Sequence, residues 1–225
     1  VRISVVIPAL DEAAELPATL LRAWSVPEVA EIILSDGGSR DATRQIAEQS
    51  GAQVVTGARG RGHQLRAGAS AASSEVVLLL HADTWLAPGA GRAIAGAFAD
   101  PQVVGGACFK AFRDPHWLMR GSRARCAWRM RAFQFAYGDQ AIFVRREVLE
   151  RVGGIPAVPL MEEHELCRAL RGVGKLVLAD TVVTTSARRF RERGVLRTYW
   201  RMAMADLRWN LGVSPEAIRR AYERR

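Results

Sequence analysis

Apolar and polar positions alternate in two kinds of block along the first hundred residues. Short runs rich in Val, Ile and Leu, at Val1–Ile7, "EIILSD" (31–36), "AQVVTG" (52–57) and "EVVLLL" (75–80), read as strands. The stretches between them have helical spacing. In "PALDEAAELPATLLRAW" a turn leads into a helix with Leu16, Leu20 and Ala23 on one face. "GGSRDATRQIAEQSG" offers a tight turn at Gly37 and Gly38, a cap at Ser39 or Asp41, and a stop at Gly51. "LRAGASAAS" predicts a helix of small residues. A β-α-β-α-β-α-β order with loops this short predicts a mainly parallel sheet with helices on both faces and right-handed crossovers.

The pattern continues with "AGRAIAGAFAD" as a helix and "VVGGACFKAF" as a strand. Residues 116–135, rich in Arg and aromatics, read as a helix or a mobile segment. "DQAIFVRREVLERVGG" predicts a strand and a short helix ending at Gly153, and "MEEHELCRALRGVG" a helix. "KLVLAD" and "TVVTTS" read as two short strands, and 194–222 as largely helical, with Ser214 as a cap and Pro215 at a first helical position. Within 194–211, Leu196, Tyr199, Trp200, Ala203, Leu207 and Leu211 form an apolar stripe, with Arg197, Arg201 and Arg208 to one side. That stripe suits packing on the domain, contact with a second subunit in a homodimer, or an interfacial membrane helix.

Composition narrows the class. The 225 residues are 49% hydrophobic and 24% charged, an ordinary globular balance with room for one sizeable core. No apolar run is long enough to span a bilayer, and Val1–Ile7 resembles no leader peptide, which predicts a cytoplasmic protein, soluble or peripheral at the inner face of the membrane. Cys108, Cys126 and Cys167 are odd in number and widely spaced, as expected of reduced thiols. The net charge of +9 is uneven: residues 1–112 carry 9 Lys and Arg against 11 Asp and Glu, whereas 188–225 carry 11 against 4. The basic end suits a phosphate, a nucleic acid or an anionic membrane.

Acidic residues recur where strands stop. Asp11 and Glu12 follow the first strand, Asp36 ends the second, and Asp83 follows "VVLLLHA". Parallel strands bring these ends to one rim, where ligands of open α/β sheets bind. Carboxylates gathered there suit Mg2+ or Mn2+ together with substrate phosphates. His81 has two readings, as a metal ligand or as a hydrogen-bonding partner of a sugar hydroxyl or the backbone. The loop "TGARGRGHQLRAGA" sets Arg59, Arg61 and Arg66 among glycines, a flexible basic segment suited to a diphosphate. Glu162 and Glu163, at the start of a predicted helix, either complement its dipole or supply a general base.

Five blocks in order, "SVVIPALDEAAEL", "EIILSDGGSRDAT", "EVVLLLHADTWLAPG", "YGDQAIFVRREVLERVGG" and "LMEEHELCRAL", resemble the family 2 glycosyltransferases over roughly residues 1–190. "HADT", "YGDQ" and "TSARRF" are most similar to a bacterial subgroup associated with radical-SAM or selenium-domain genes. The resemblance implies the nucleotide-diphospho-sugar transferase (GT-A) fold over 1–190, with 191–225 as a basic helical extension. It implies that Pro8, Ala9, Leu10 and Glu12 line the nucleoside pocket and that Asp36 reads the base. Asp83 matches the metal-binding aspartate, while His81 and Ala82 complete "HAD" where the family has Asp-x-Asp. Arg61 and Arg66 come from the basic loop, Arg66 standing where the family often has Asn. Arg188 or Arg189 meets the diphosphate.

The resemblance makes Glu163 the first choice as base and Glu162 the second. It implies an inverting transfer of one sugar from a UDP- or GDP-sugar with Mn2+ or Mg2+, since the Gln-x-x-Arg-Trp signature of processive synthases is absent. It leaves the acceptor unidentified: a lipid suits the amphipathic tail, a small soluble molecule suits the lack of a membrane span. Two rivals share some features. A sugar nucleotidyltransferase has a similar sheet but usually carries a Gly- and Arg-containing loop after its first strand, where this chain has "PALDEAAEL". A basic module binding nucleic acid or membrane, with a degenerate sugar site, explains only the tail, and the resemblance sets nucleic acid aside as a partner.

Overall fold

The computed structural model describes residues 1–113 and 115–223. Asp114, Arg224 and Arg225, which enter the charge balance above, lie outside them. The chain begins as the pattern predicts: β1 (Ile3–Ala9), α1 (Leu16–Trp24), β2 (Val29–Asp36), α2 (Thr43–Gln49), β3 (Gln53–Thr56), α3 (Arg61–Ser70) and β4 (Val76–Leu79). After it come β5 (Thr84–Trp85), α4 (Ala90–Ala97), β6 (Val103–Phe112), α5 (Ser122–Phe133), β7 (Ile142–Arg145), α6 (Arg146–Arg151), α7 (Glu162–Arg171), β8 (Lys175–Thr185), α8 (Arg188–Arg193), α9 (Val195–Asn210) and α10 (Pro215–Glu223). Short 3-10 turns lie at Trp117–Met119 and Gly138–Gln140.

These strands make one eight-stranded sheet in the order β3-β2-β1-β4-β7-β6-β8-β5. The half built from β3, β2, β1 and β4 is parallel, as is the β6–β8 pair, while β7 runs antiparallel to both its neighbours. β1 pairs with β2 on one side and β4 on the other, so the order reverses there and opens a crevice beyond the carboxyl ends of β1 and β4.

Burial on both faces explains the unbroken apolar runs. Ile3, Val5, Ile7, Val76, Leu78 and Leu80 join Leu16, Leu20, Ile94 and Phe143 in one core. Val6, Val77 and Leu79 pack on the other face with Ile33, Leu65, Ile142, Val144, Leu166 and Leu170. Each large aliphatic side chain so buried contributes about 1.5–3 kcal/mol. The small residues of α3 let it sit close on the sheet: a Cβ at Gly68 would fall 2.5 Å from Val6 Cγ1.

Several expectations are corrected. "KLVLAD" and "TVVTTS" form one strand, because β6 pairs Cys108 with Ala179 and then Phe109 with Val182, accommodating the polar pair Asp180 and Thr181 as a bulge. The basic loop is shorter than expected, since Arg61 already opens α3. Of the two readings of 116–135, the helical one holds over Ser122–Phe133, after a 3-10 turn at Trp117–Met119. The stripe of α9 does not face the domain as a whole. Its packed side carries Val195, Tyr199 and Met202 against Phe112, Met119 and Phe190, with Ala205 and Trp209 beside Met161, Ile218 and Tyr222. Leu196, Trp200, Ala203, Leu207 and Leu211 are exposed.

Among the described residues no helix is long and apolar enough to cross a membrane. Burial pushes the Cys108 thiol up to about 12 and Cys167 up to about 11, in keeping with unreactive core thiols.

Candidate active site

The crevice beyond β1 and β4 holds a cleft of about 500 Å3. Pro8 and Ala9 end β1 on its wall, followed by Leu10 and Glu12, and His81, Ala82 and Asp83 leave β4 opposite. Gln64 ties the rim together, donating from Nε2 to the carbonyls of Ala9 at 2.6 Å and Ser35 at 3.0 Å. The third wall is Tyr137, Gly138 and Asp139, and the fourth is the start of α7, where Met161 adopts a left-handed φ of 70° just before Glu162. Arg188, Arg189 and Arg193 close the cleft from α8, with Thr198, Met202, Ala205 and Asp206 of α9 and Tyr222 of α10.

The structure brings most of the expected residues together. Pro8, Ala9, Leu10, Glu12, Arg61, His81, Ala82, Asp83, Glu163, Arg188 and Arg189 all line the cleft, whereas Asp36, Arg66 and Glu162 do not. Asp36 is fully buried and accepts from the N–H groups of Gly38 at 3.1 Å and Ser39 at 3.2 Å, so it shapes the turn after β2. Arg66 donates to the Ile155 carbonyl at 3.0 Å, tying α3 to the loop before α7. Glu162, 3% exposed, is held by Arg61 Nε, while Arg61 Nη2 reaches Glu163 Oε2 at 3.1 Å. Arg61 is thus committed to two glutamates, which a reading of it as a free loop cation does not anticipate.

Electrostatics differ sharply within this small space. Burial, reinforced by the Arg61 charge, pulls His81 down to about 4, so the imidazole is neutral at physiological pH. Its Nε2 is buried without a hydrogen-bond partner. Glu12 is raised above its ordinary value by burial, with the Asp83 carboxylate adding to the push and Arg188, 3.3 Å away, opposing it. Glu162 is likewise raised, by burial first, with Arg61 pulling the other way.

A divalent cation is tested by this donor set. Among the described residues no three His, Cys, Asp or Glu side chains form a cage. Asp83 offers a carboxylate beside Glu12, and one or two carboxylates with substrate phosphates are the usual way Mg2+ is held. The residues fit a cation that arrives with a diphosphate better than a permanently caged one.

Several cleft residues escaped the sequence reading. Asp139 is half-buried; burial pushes its carboxyl up, but the Lys110 ammonium, 2.6 Å from Oδ2, together with the Arg129 charge holds it below the ordinary value. Its Oδ1 has no partner. Asp206 accepts from the Tyr137 hydroxyl and lies 3.1 Å from His164 Nε2, linking α9 to α7. "YGDQ" pointed to the first of these as part of a motif; a lone Asp in a basic helix gave no local signal for the second. Gly138 stands close to His81: a Cβ there would lie 2.9 Å from Nε2, so a larger residue would press on the imidazole.

Comparison with known proteins agrees with this architecture. Residues 4–151 match the model of a family described as glycosyl transferase family 2. Uncharacterized glycosyltransferases of Mycobacterium tuberculosis and Mycobacterium bovis are 37% identical over 82 residues, 36% of this chain. The aligned part is also 36% of those relatives' own length. Among solved structures, the mannosyltransferase PcManGT from Pyrobaculum calidifontis, in complex with GDP-Man and Mn2+, superposes with a TM-score of 0.66 at 23% identity, over 91% of this chain and 61% of that one. Glucosyl-3-phosphoglycerate synthase from Mycobacterium tuberculosis, in complex with Mn2+, UDP and glucosyl-3-phosphoglycerate, gives 0.66 at 22% identity, over 95% and 81%. At these identities the two structures speak for the fold.

Proposed function

Since the chain belongs to glycosyl transferase family 2 and has the GT-A fold, we propose that it transfers one sugar, with inversion, from a UDP- or GDP-sugar to an acceptor hydroxyl. The observation that carries this reading is the convergence of Asp83, Glu12, Glu163, Arg188 and Arg189 on one cleft at the reversal of strand order. Residues 1–190 are the catalytic domain in this reading and 191–225 a C-terminal extension, helical through Glu223 where the described residues end. In this reading the chain belongs with the bacterial subgroup associated with radical-SAM or selenium-domain genes, a reading supported by the similarity of "HADT", "YGDQ" and "TSARRF".

Pro8, Ala9 and Leu10 form the wall against which the nucleoside lies, and the turn shaped by Asp36 borders it. Asp83, with Glu12 beside it, would hold Mn2+ or Mg2+ together with the diphosphate, and the cation supplies positive charge to the departing phosphates. Arg188 and Arg189 add fixed positive charge on the same side, the kind of preorganised stabilisation that usually contributes most to such a displacement. The unpartnered His81 Nε2 and Asp139 Oδ1 are left for hydroxyls of the donor sugar, since buried polar atoms without partners are rare unless a ligand meets them.

Glu163 takes the proton of the acceptor hydroxyl as that oxygen bonds to the anomeric carbon. The bond from that carbon to the diphosphate breaks on the opposite face, its electron pair leaving with the nucleoside diphosphate. Glu162 does not touch substrate in this scheme; it fixes Arg61, which in turn orients Glu163.

The test is release of nucleoside diphosphate from UDP-glucose, UDP-N-acetylglucosamine and GDP-mannose, with water as a slow acceptor. Wild type is expected to turn over one of them, and Glu163→Gln to lose about 100-fold or more, the usual range for a general base being about 10²–10⁴. Turnover in Glu163→Gln equal to wild type would remove Glu163 from the mechanism.

A further inference from the structure

The face of α9 turned away from the cleft is unusually apolar for a solvated surface. Leu196 is 70% exposed, Trp200 68%, Leu207 48% and Leu211 73%, and Ala203 is exposed between them. At about 100° per residue these five side chains fall within an arc of about 80°, a continuous stripe along roughly 24 Å of helix. Arg197 and Arg208 border one edge of it, at about 100–120° on the same helical wheel. Trp117, 65% exposed, stands beside the N-terminal half of α9, because Met119 of the same turn packs with Val195 and Tyr199.

We propose that this face docks on an anionic lipid surface, with the stripe entering the headgroup boundary and the flanking arginines meeting lipid phosphates. Charge decides between occupants. Arg197 and Arg208 border the stripe, and Asp206, the acidic residue of α9, is taken up by Tyr137 and His164, so a second copy seated on the same face by two-fold symmetry would bring two positive borders together. An anionic bilayer satisfies the apolar stripe and the positive border at once, the combination expected of an interfacial helix.

The opposite side of the same helix supplies Thr198, Met202, Ala205 and Asp206 to the cleft. Docking therefore holds the cleft about one helix diameter, roughly 10 Å, from the bilayer surface. Resting on the transferase reading, this places the acceptor hydroxyl on a molecule carried by the membrane.

Sedimentation with vesicles of phosphatidylcholine containing 30% phosphatidylglycerol tests the docking, alongside vesicles of phosphatidylcholine alone. Wild type is expected to partition at least tenfold more strongly to the anionic vesicles at 0.1 M salt. The preference should fall at 1 M salt, where the screening length drops from about 10 Å to about 3 Å. Lipids brominated near the headgroup should quench Trp fluorescence, and Trp200→Glu/Leu207→Glu should lose both partitioning and quenching. Those side chains are exposed, so the variant is expected to keep the wild-type melting temperature and its response to nucleoside diphosphates.

No binding to anionic vesicles by folded wild type overturns the proposal, as does binding that the double variant retains. A wild-type dimer in light scattering that Trp200→Glu/Leu207→Glu converts to monomer, without vesicle binding, assigns the face to a second copy instead. Binding to an RNA oligonucleotide without vesicle binding assigns it to nucleic acid. In each of these cases a normal nucleotide response leaves the transferase reading standing.

Discussion

Replacing Arg61 by Met removes the cation that two adjacent carboxylates share and leaves both carboxylates in place. At an effective dielectric of about 20, unit charges at the 3.1 Å separation of Arg61 Nη2 and Glu163 Oε2 attract by roughly 5 kcal/mol. Stripping one partner from a buried pair costs about 3–5 kcal/mol, because the remaining charge stays desolvated. Glu162, at 3% exposure, cannot recover water, while Glu163 lines the cleft and can recover some. For a domain of this length about 2–4 °C of Tm is lost per kcal/mol, so Arg61→Met is expected to melt about 6–20 °C lower near neutral pH.

The deficit should depend on pH in a definite direction. Burial already raises the Glu162 carboxyl above its ordinary 4.5, and Arg61 opposes that rise, so the variant raises it further. A carboxyl raised in the folded state contributes stability that is fully present below its unfolded value and lost as pH climbs through the folded value. The gap between variant and wild type should therefore be small near pH 4.5 and widen toward pH 7.5. Adding Glu162→Gln to Arg61→Met should restore part of the loss. Calorimetric melting of wild type, both single variants and the double variant at several pH values gives the answer. A loss under about 1 kcal/mol, the size of an exposed pair, or a loss independent of pH would refute the reasoning.

Three further substitutions probe the surroundings of the cleft. Gly138→Ala places a Cβ 2.9 Å from His81 Nε2 and should weaken nucleotide-sugar binding at least tenfold with little change in Tm, as read by calorimetric titration. Gln64→Leu leaves the Ser35 carbonyl without its side-chain donor and weakens the tie to Ala9; thermal melting should show a loss of about 1–3 kcal/mol. Tyr137→Phe deletes the hydroxyl that donates to Asp206, so limited proteolysis within 194–223 should accelerate while the remaining chain keeps its protection.

The sheet was legible because two-sided burial writes itself as unbroken apolar runs, and because the run Val76–Leu80 stops abruptly at His81. The break at Asp180 and Thr181 misled for the same reason: a bulge absorbs two polar residues without ending a strand, and only the pairing with β6 reveals it. In α9 both faces carry large apolar side chains, so spacing alone found a stripe and could not say which side the domain covers. Val195, Met202 and Trp209 pack inward, whereas Leu196, Trp200 and Leu207 do not.

The rim residues of the site were legible from strand ends. The Arg61–Glu162 pair spans 101 residues and the Tyr137–Asp206 contact 69, and such separations leave no mark on a local pattern. Arg66 reads as a diphosphate ligand because it lies in the same basic segment as Arg61, but position on α3 and not charge decides which side chain reaches the cleft. In the structure it faces the Ile155 carbonyl, away from the cleft.

The central claim is that the cleft between β1 and β4 binds a nucleoside diphosphate through Asp83 and a divalent cation. Isothermal titration of wild type and Asp83→Ala with UDP and with GDP, each with and without Mn2+, tests it most directly. The account predicts saturable one-to-one binding of one of the two nucleotides, dependent on Mn2+ and lost in an Asp83→Ala protein that melts like wild type. Binding that is indifferent to Asp83→Ala, or no binding of either nucleotide to folded wild type with Mn2+ present, would contradict it.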